Sequence, residues 1–132
     1  MAKRILIIDD DASARRAFQT ALRSQGYEIL EADNGATGSQ MAIEKDVDLV
    51  YLDLRMPSID GVETLRRIRA VKDDLVVYIV TVFQREFFDE LVTARGEGLS
   101  FELLRKPLAS DQLIAITADI LSVDNTGDTR WC

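Results

Sequence analysis

Four short apolar runs in this 132-residue chain are closed by side chains that can do chemistry. Ile5-Leu-Ile-Ile8 stops at Asp9, Asp10 and Asp11, and Leu49-Val-Tyr-Leu52 stops at Asp53. Leu75 to Val80 stops at Thr81, and Phe101 to Leu104 is followed closely by Lys106. Carboxylates gathered within a few ångströms repel one another by on the order of 1 kcal/mol or more per pair. A divalent cation removes that cost, and hard oxygen ligands select Mg²⁺ or Mn²⁺. The charges of three carboxylates, one such cation and the Lys106 ammonium cancel, which suits a site that accepts a phosphoryl group. A carboxylate held in such a site can attack phosphorus and become an acyl phosphate. An ammonium and a hydroxyl, here Lys106 and Thr81, can then hold the transferred oxygens. The chain has no G-x-x-x-x-G-K-S/T loop, so the phosphoryl donor is expected to be a small phosphorylated molecule or another protein rather than ATP.

The segments between these runs explain how the groups meet. Asp11 or Ser13 can cap a helix in which Ala14, Ala17, Phe18, Ala21 and Leu22 recur at helical spacing up to Gly26. Tyr27 to Ala32 reads as a second strand and Asn34-Gly35 as a turn. Ala36 to Glu44 reads as a helix weakened by Gly38. Pro57 to Gly61 is turn chemistry, followed by a helical stripe of Val62, Leu65 and Ile68 that could extend to Val71. Glu86 to Arg95 reads as a helix ended near Gly96 and Gly98, and Ser110 as the cap of a last helix carrying Leu113, Ile116 and Ile120. Apolar strands alternating with helices predict a doubly wound α/β domain with a five-stranded parallel sheet and five helices. In such sheets ligands bind beyond the carboxyl ends of the strands, where Asp9, Asp10, Asp53, Thr81 and Lys106 all fall. One domain is expected over residues 1–122, with 123–132 a polar tail or the start of a linker.

Composition narrows the alternatives. Histidine is absent, which excludes Ser-His-Asp and Cys-His catalysis, histidine-ligated zinc and phosphoryl transfer from a histidine of the chain's own. The formal net charge of −7 disfavours direct contact with nucleic acid or anionic membranes. The single cysteine, Cys132, allows no internal disulfide, and the first apolar run is too short for a signal peptide or a span. A cytoplasmic location is expected.

Ile5-Leu-Ile-Ile-Asp-Asp-Asp11, Leu49-Val-Tyr-Leu-Asp-Leu-Arg-Met-Pro57 with Asp60-Gly61, Ile79-Val-Thr81 and Arg105-Lys-Pro107 together resemble the receiver domain of two-component response regulators. The resemblance covers about residues 3–122. It implies a flavodoxin-like fold with strand order 2-1-3-4-5, and phosphorylation of Asp53 by a histidine kinase or a phosphotransfer protein. It further implies Mg²⁺ held by Asp10, Asp53 and the backbone carbonyl of Arg55, with Asp9 assisting through water. Thr81 and Lys106 would bind the phosphoryl oxygens, and the Lys106–Pro107 peptide would be cis. Downstream proteins, or a second copy in a homodimer, would use the face of the fourth helix, fifth strand and fifth helix.

Three positions depart from the family pattern. Val82 stands where receivers carry a small residue beside the threonine, narrowing access to the phosphoryl group. Arg55 is expected to reach a phosphoryl oxygen or pair with an acid of the site. Leu103 replaces the aromatic normally three residues before the lysine, which points to an altered output movement. Phe83, Phe87 and Phe88 suggest either core packing or a partner surface on the fourth helix. Two other functions compete: a pseudo-receiver that binds proteins without using phosphate, and a haloacid-dehalogenase-type phosphatase with Asp9 of Asp9-Asp-Asp-Ala-Ser13 as its nucleophile.

Overall fold

The computed structural model describes residues 2–126. Ten elements alternate along the chain: β1 Arg4–Ile8, α1 Ala12–Arg23, β2 Glu28–Ala32, α2 Gly35–Glu44, β3 Leu49–Leu52, α3 Gly61–Arg69, β4 Val76–Thr81, α4 Phe88–Gly96, β5 Glu102–Arg105 and α5 Ser110–Thr126. The five strands are parallel in the order β2-β1-β3-β4-β5, the flavodoxin-like arrangement expected. β1 and β3 lie inside the sheet, and their residues are apolar on both faces because helices cover both. Leu6, Ile8, Val50, Leu52, Val77 and Ile79 pack towards α2, α3 and α4. Ile5, Ile7, Leu49 and Tyr51 pack towards α1 and α5, where Phe18, Leu22, Leu113 and Leu121 meet them. Tyr51 keeps its hydroxyl satisfied in this layer by a 2.7 Å hydrogen bond to Thr117 Oγ1, and burial pushes its pKa up to about 12.

Local chemistry starts most helices. Asp11, Asn34 and Asp60 cap α1, α2 and α3 by accepting from the N–H groups of Ser13, Thr37 and Glu63. Ser110 is the first helical residue of α5 rather than its cap; the Gln112 side chain reaches back to the Ala109 N–H instead. α3 stops at Arg69, short of Val71, which is exposed. α4 starts at Phe88, two residues later than the sequence pattern places it, and Phe87 offers it no side-chain cap. α5 continues to Thr126, past the residue 122 at which helical periodicity fades. Residues 127–132 of the expected tail, with Trp131 and Cys132, lie outside the described residues. Gly38, which weakens α2 by propensity, has a packing reason: a Cβ there would lie 2.6 to 2.8 Å from the Ile8 side chain. Among the described residues no helix is long and apolar enough to cross a membrane.

Candidate functional site

Strand register brings the acids together. Ile8 pairs with Leu52 across β1 and β3, so the residues that follow, Asp9 and Asp53, emerge side by side. The Asp53 N–H donates to Ile8 O at 2.9 Å, and the Asp9 N–H to Ala32 O at 3.1 Å. At the other end of this edge the Lys106 N–H donates to Thr81 O at 3.0 Å, carrying the lysine past the end of β5 and back over the acids. The Lys106–Pro107 peptide is cis.

Asp9, Asp10 and Asp53 each offer a carboxylate oxygen within 4.8 Å of the others. Asp9 and Asp53 are 2% and 6% exposed, whereas Asp10 is open to solvent. Lys106 Nζ lies 2.7 Å from Asp9 Oδ2 and 3.3 Å from Asp53 Oδ2, so one ammonium serves two buried carboxylates. The second oxygen of each acid accepts from backbone: Asp9 Oδ1 from Asp11 N–H at 3.0 Å, Asp53 Oδ1 from Leu54 N–H at 2.8 Å. Burial pushes the Asp9 carboxyl above its ordinary value despite the Lys106 ammonium beside it. Burial also works against the Lys106 charge, but Asp9 and then Asp53 outweigh it and hold the ammonium above the ordinary lysine value. Three carboxylates against one ammonium leave an excess of negative charge in a set of hard oxygen donors, the composition that takes a divalent cation.

Thr81 is fully buried at the end of β4, and its hydroxyl accepts from the Phe83 N–H at 3.0 Å. Val82 is 55% exposed and lines a groove of about 360 Å³ with Ala14, Ala17, Phe18, Lys106 and Pro107. The Arg55 guanidinium does not pair with an acid of the cluster. It bonds Glu86 at 2.7 Å and lies 4.5 Å above the Phe83 ring, tying the β3–α3 loop to the β4–α4 loop. Glu86 lies in the turn that precedes α4. The three phenylalanines divide: Phe83 lies under Arg55, Phe87 packs against the core, and Phe88 is exposed. Leu103 is 40% exposed and lines a groove with Phe88 and Val92.

Two supports of the site lie outside its charged cluster. Gly61 opens α3 directly beneath Asp53, where an added Cβ would run into the Asp53 carbonyl oxygen and lie 2.8 Å from Leu54 Cα. Arg15 on α1 donates to Asp9 O at 2.8 Å. The turn signal at Asp60-Gly61 pointed towards the first; nothing in the sequence pairs the second with its acceptor.

A doubly wound sheet of order 2-1-3-4-5, with carboxylates closing β1 and β3 and a lysine beyond β5, defines a domain of the flavodoxin-like class with its site at the carboxyl edge. Residues 5–118 match the family model described as the response regulator receiver domain, and the chain belongs to that family, the receiver domains of two-component signalling. It is 33% identical over 115 residues to Response regulator MprA of Mycobacterium ulcerans, covering 87% of this chain and 48% of that protein. The same identity over 115 residues holds for Response regulator MprA of Mycobacterium tuberculosis, at 87% and 49%. The chain thus spans about half the length of the curated relatives it matches. Among solved structures it resembles response regulator TrrA of Thermotoga maritima in complex with Mg²⁺-BeF, with a TM-score of 0.76 at 30% identity over 89% of this chain and 98% of that one. A CheY-like receiver domain protein from Methanospirillum hungatei, with a TM-score of 0.80 at 23% identity over 94% and 98% of the two chains, shares the fold.

Proposed function

We propose that this chain is a phosphorylation-dependent switch of a two-component phosphorelay, with Asp53 as the phosphoryl acceptor and a histidine kinase or phosphotransfer protein as the donor. The observation that carries it is the Asp9, Asp10, Asp53 cluster with Lys106 between its two buried members. Family membership favours this reading over a phosphatase with Asp9 as nucleophile.

The donor set fits Mg²⁺, and Asp10, Asp53 and the backbone carbonyl of Arg55 would hold it, with Asp9 assisting. When bound, the ion supplies positive charge against the phosphoryl oxygens. Asp53 does the covalent work: an Oδ atom bonds to phosphorus while the phosphorus–nitrogen bond of a donor phosphoimidazole breaks and the imidazole leaves with its electron pair. In this reading Lys106 would exchange its bond to Asp53 Oδ2 for one to a phosphoryl oxygen, and the Thr81 hydroxyl would donate to another. Rearrangement of Thr81 would pull on Phe83, and through Arg55 and Glu86 on the start of α4. The exposed Phe88, Val92 and Leu103 support an output surface on α4 and β5.

Incubation with acetyl phosphate and Mg²⁺ is expected to add the mass of one phosphoryl group, read by intact-protein mass spectrometry. Asp53→Asn should abolish the adduct; an adduct that survives that change, or none in the wild type, refutes the reading. Beryllofluoride with Mg²⁺ should raise the melting temperature of the wild type and not of Asp53→Asn. A wild type blind to beryllofluoride would instead behave as a pseudo-receiver.

A further inference from the structure

We infer that Arg15 is a positioning residue for the acidic site, setting its affinity for Mg²⁺ without touching the ion. The inference rests on reading the cluster as a cation site. Three hydrogen bonds carry it. Arg15 Nη1 donates to the Asp9 carbonyl oxygen at 2.8 Å, while Arg15 Nε donates to Glu31 Oε1 at 3.0 Å. Glu31 is itself held from the other side, because its Oε2 accepts from Gln19 Nε2 at 2.6 Å. The Arg15 and Glu31 side chains are 18% and 33% exposed, better shielded than the surface pairs Arg55–Glu86 and Arg4–Glu28.

The geometry gives this network a function. The Asp9 carbonyl belongs to the peptide that joins Asp9 to Asp10, so fixing that oxygen fixes the plane from which Asp10 departs. Asp9 needs little further help: its N–H is tied to Ala32 O and its carboxylate to Lys106 and the Asp11 N–H. Asp10 is the exposed member of the cluster, and the peptide before it is the part Arg15 holds. The anchor is double-sided, since β2 supplies Glu31 and α1 supplies Arg15 and Gln19. A neutral side chain at residue 15 would free the Asp9–Asp10 peptide and also remove one positive charge from beside three acids. Freeing the peptide weakens a cation site that needs its oxygens pre-placed. The lost charge acts the other way, but less strongly, because the Arg15–Glu31 pair is part-exposed and screened. Losing a group that holds metal ligands from behind commonly lowers affinity about tenfold or more.

Titration of the full chain with Mg²⁺ by calorimetry tests this. Arg15→Met is expected to raise the dissociation constant about tenfold. Glu31→Gln should raise it less, because Arg15 keeps its bond to Asp9 O but loses its anchor. The phosphorylation rate of Arg15→Met with acetyl phosphate should recover at saturating Mg²⁺, which separates positioning from a direct role. Arg15→Lys, which retains charge and one bond, keeps the test open should the methionine variant fail to fold. Wild-type affinity in Arg15→Met, or in Arg15→Lys and Glu31→Gln together if only these fold, overturns the inference while leaving the cation site intact. No Mg²⁺ binding by the wild type overturns the site itself and the inference with it.

Discussion

Lys106→Met is expected to destabilise the metal-free protein by about 3 kcal/mol at neutral pH and low salt, because removing one partner of a buried ion pair strands the other. Here it strands two. Asp9 and Asp53 share the Lys106 ammonium at 2.7 and 3.3 Å, and the lysine side chain is itself 21% exposed, so solvent screens the loss only partly. For a domain of this size about 3 kcal/mol corresponds to a melting temperature lower by roughly 10 °C. The pH dependence has a defined sign. The folded-state pKa of Lys106 is raised, so its contribution to stability is whole below the ordinary lysine value of 10.5 and disappears as pH climbs through the folded value. Asp9 behaves oppositely: its raised carboxyl binds a proton more tightly in the folded state, so its charged form costs stability at neutral pH and that cost is relieved in acid. The gap between wild type and Lys106→Met should therefore be widest near neutrality, narrowing in alkali as Lys106 discharges and in acid as Asp9 protonates. Urea melts across this range check the prediction; a gap below about 1 kcal/mol at neutral pH contradicts it. Added Mg²⁺ should restore part of the lost stability by supplying the missing positive charge.

Gly61→Ala is expected to lower stability by about 2 kcal/mol and to displace Asp53 as well. The change is favourable in isolation, since alanine in a compatible backbone restricts the unfolded chain and gains about 0.4–1 kcal/mol. The cost is steric. The new methyl would overlap the Asp53 carbonyl oxygen and lie 2.8 Å from Leu54 Cα, both backbone atoms with no rotamer to adopt. The Gly61 N–H also bonds Leu54 O at 2.7 Å, so α3 cannot retreat without losing that bond. Relief must come from moving the segment that carries Asp53. Calorimetry and the beryllofluoride response should fall together. A Gly61→Ala protein as stable as wild type, with its response intact, would refute the steric account.

The site was legible where chemistry coincides with the end of an apolar run. Asp9 and Asp53 announce themselves because an unpaired charge is costly at the end of a buried strand. Thr81 gains meaning only beside them, since threonine commonly ends strands. Parallel topology then sends all three to one edge. Strand order itself came from the resemblance, since periodicity fixes which residues form strands and not which strands are neighbours. Arg55 shows the limit. Its place two residues after Asp53 suggested the site, yet Glu86 and Phe83 claim its side chain, and both are brought near only by the packing of two loops. The start of α4 shows the same limit: acids and aromatics from 86 onward fit a helix, but residues 84–87 form a turn, and Glu86 within it and Phe83 just before it meet Arg55. Arg15 and Glu31 are separated by a helix and a turn, so their pairing exists only once β2 lies beside β1.

That turn sets a gradient of local opening across the molecule. α3 begins with Asp60 capping the Glu63 N–H and Thr64 Oγ1 bonding Asp60 O, and it buries Val62, Leu65 and Ile68. α4 begins uncapped, buries only Leu91 and Ala94 from its own length, and is tethered at its start through the Arg55–Glu86 pair, whose side chains are 60% and 51% exposed. Such an exposed pair contributes under about 1 kcal/mol. Amide protons in the first turns of α4 should therefore exchange with solvent through small, frequent openings, while those of α3 wait for much larger ones. On the proposed function, a helix with such openings would need only a small bias to change its population, so phosphorylation of Asp53 would be felt at α4 with little change elsewhere in the sheet.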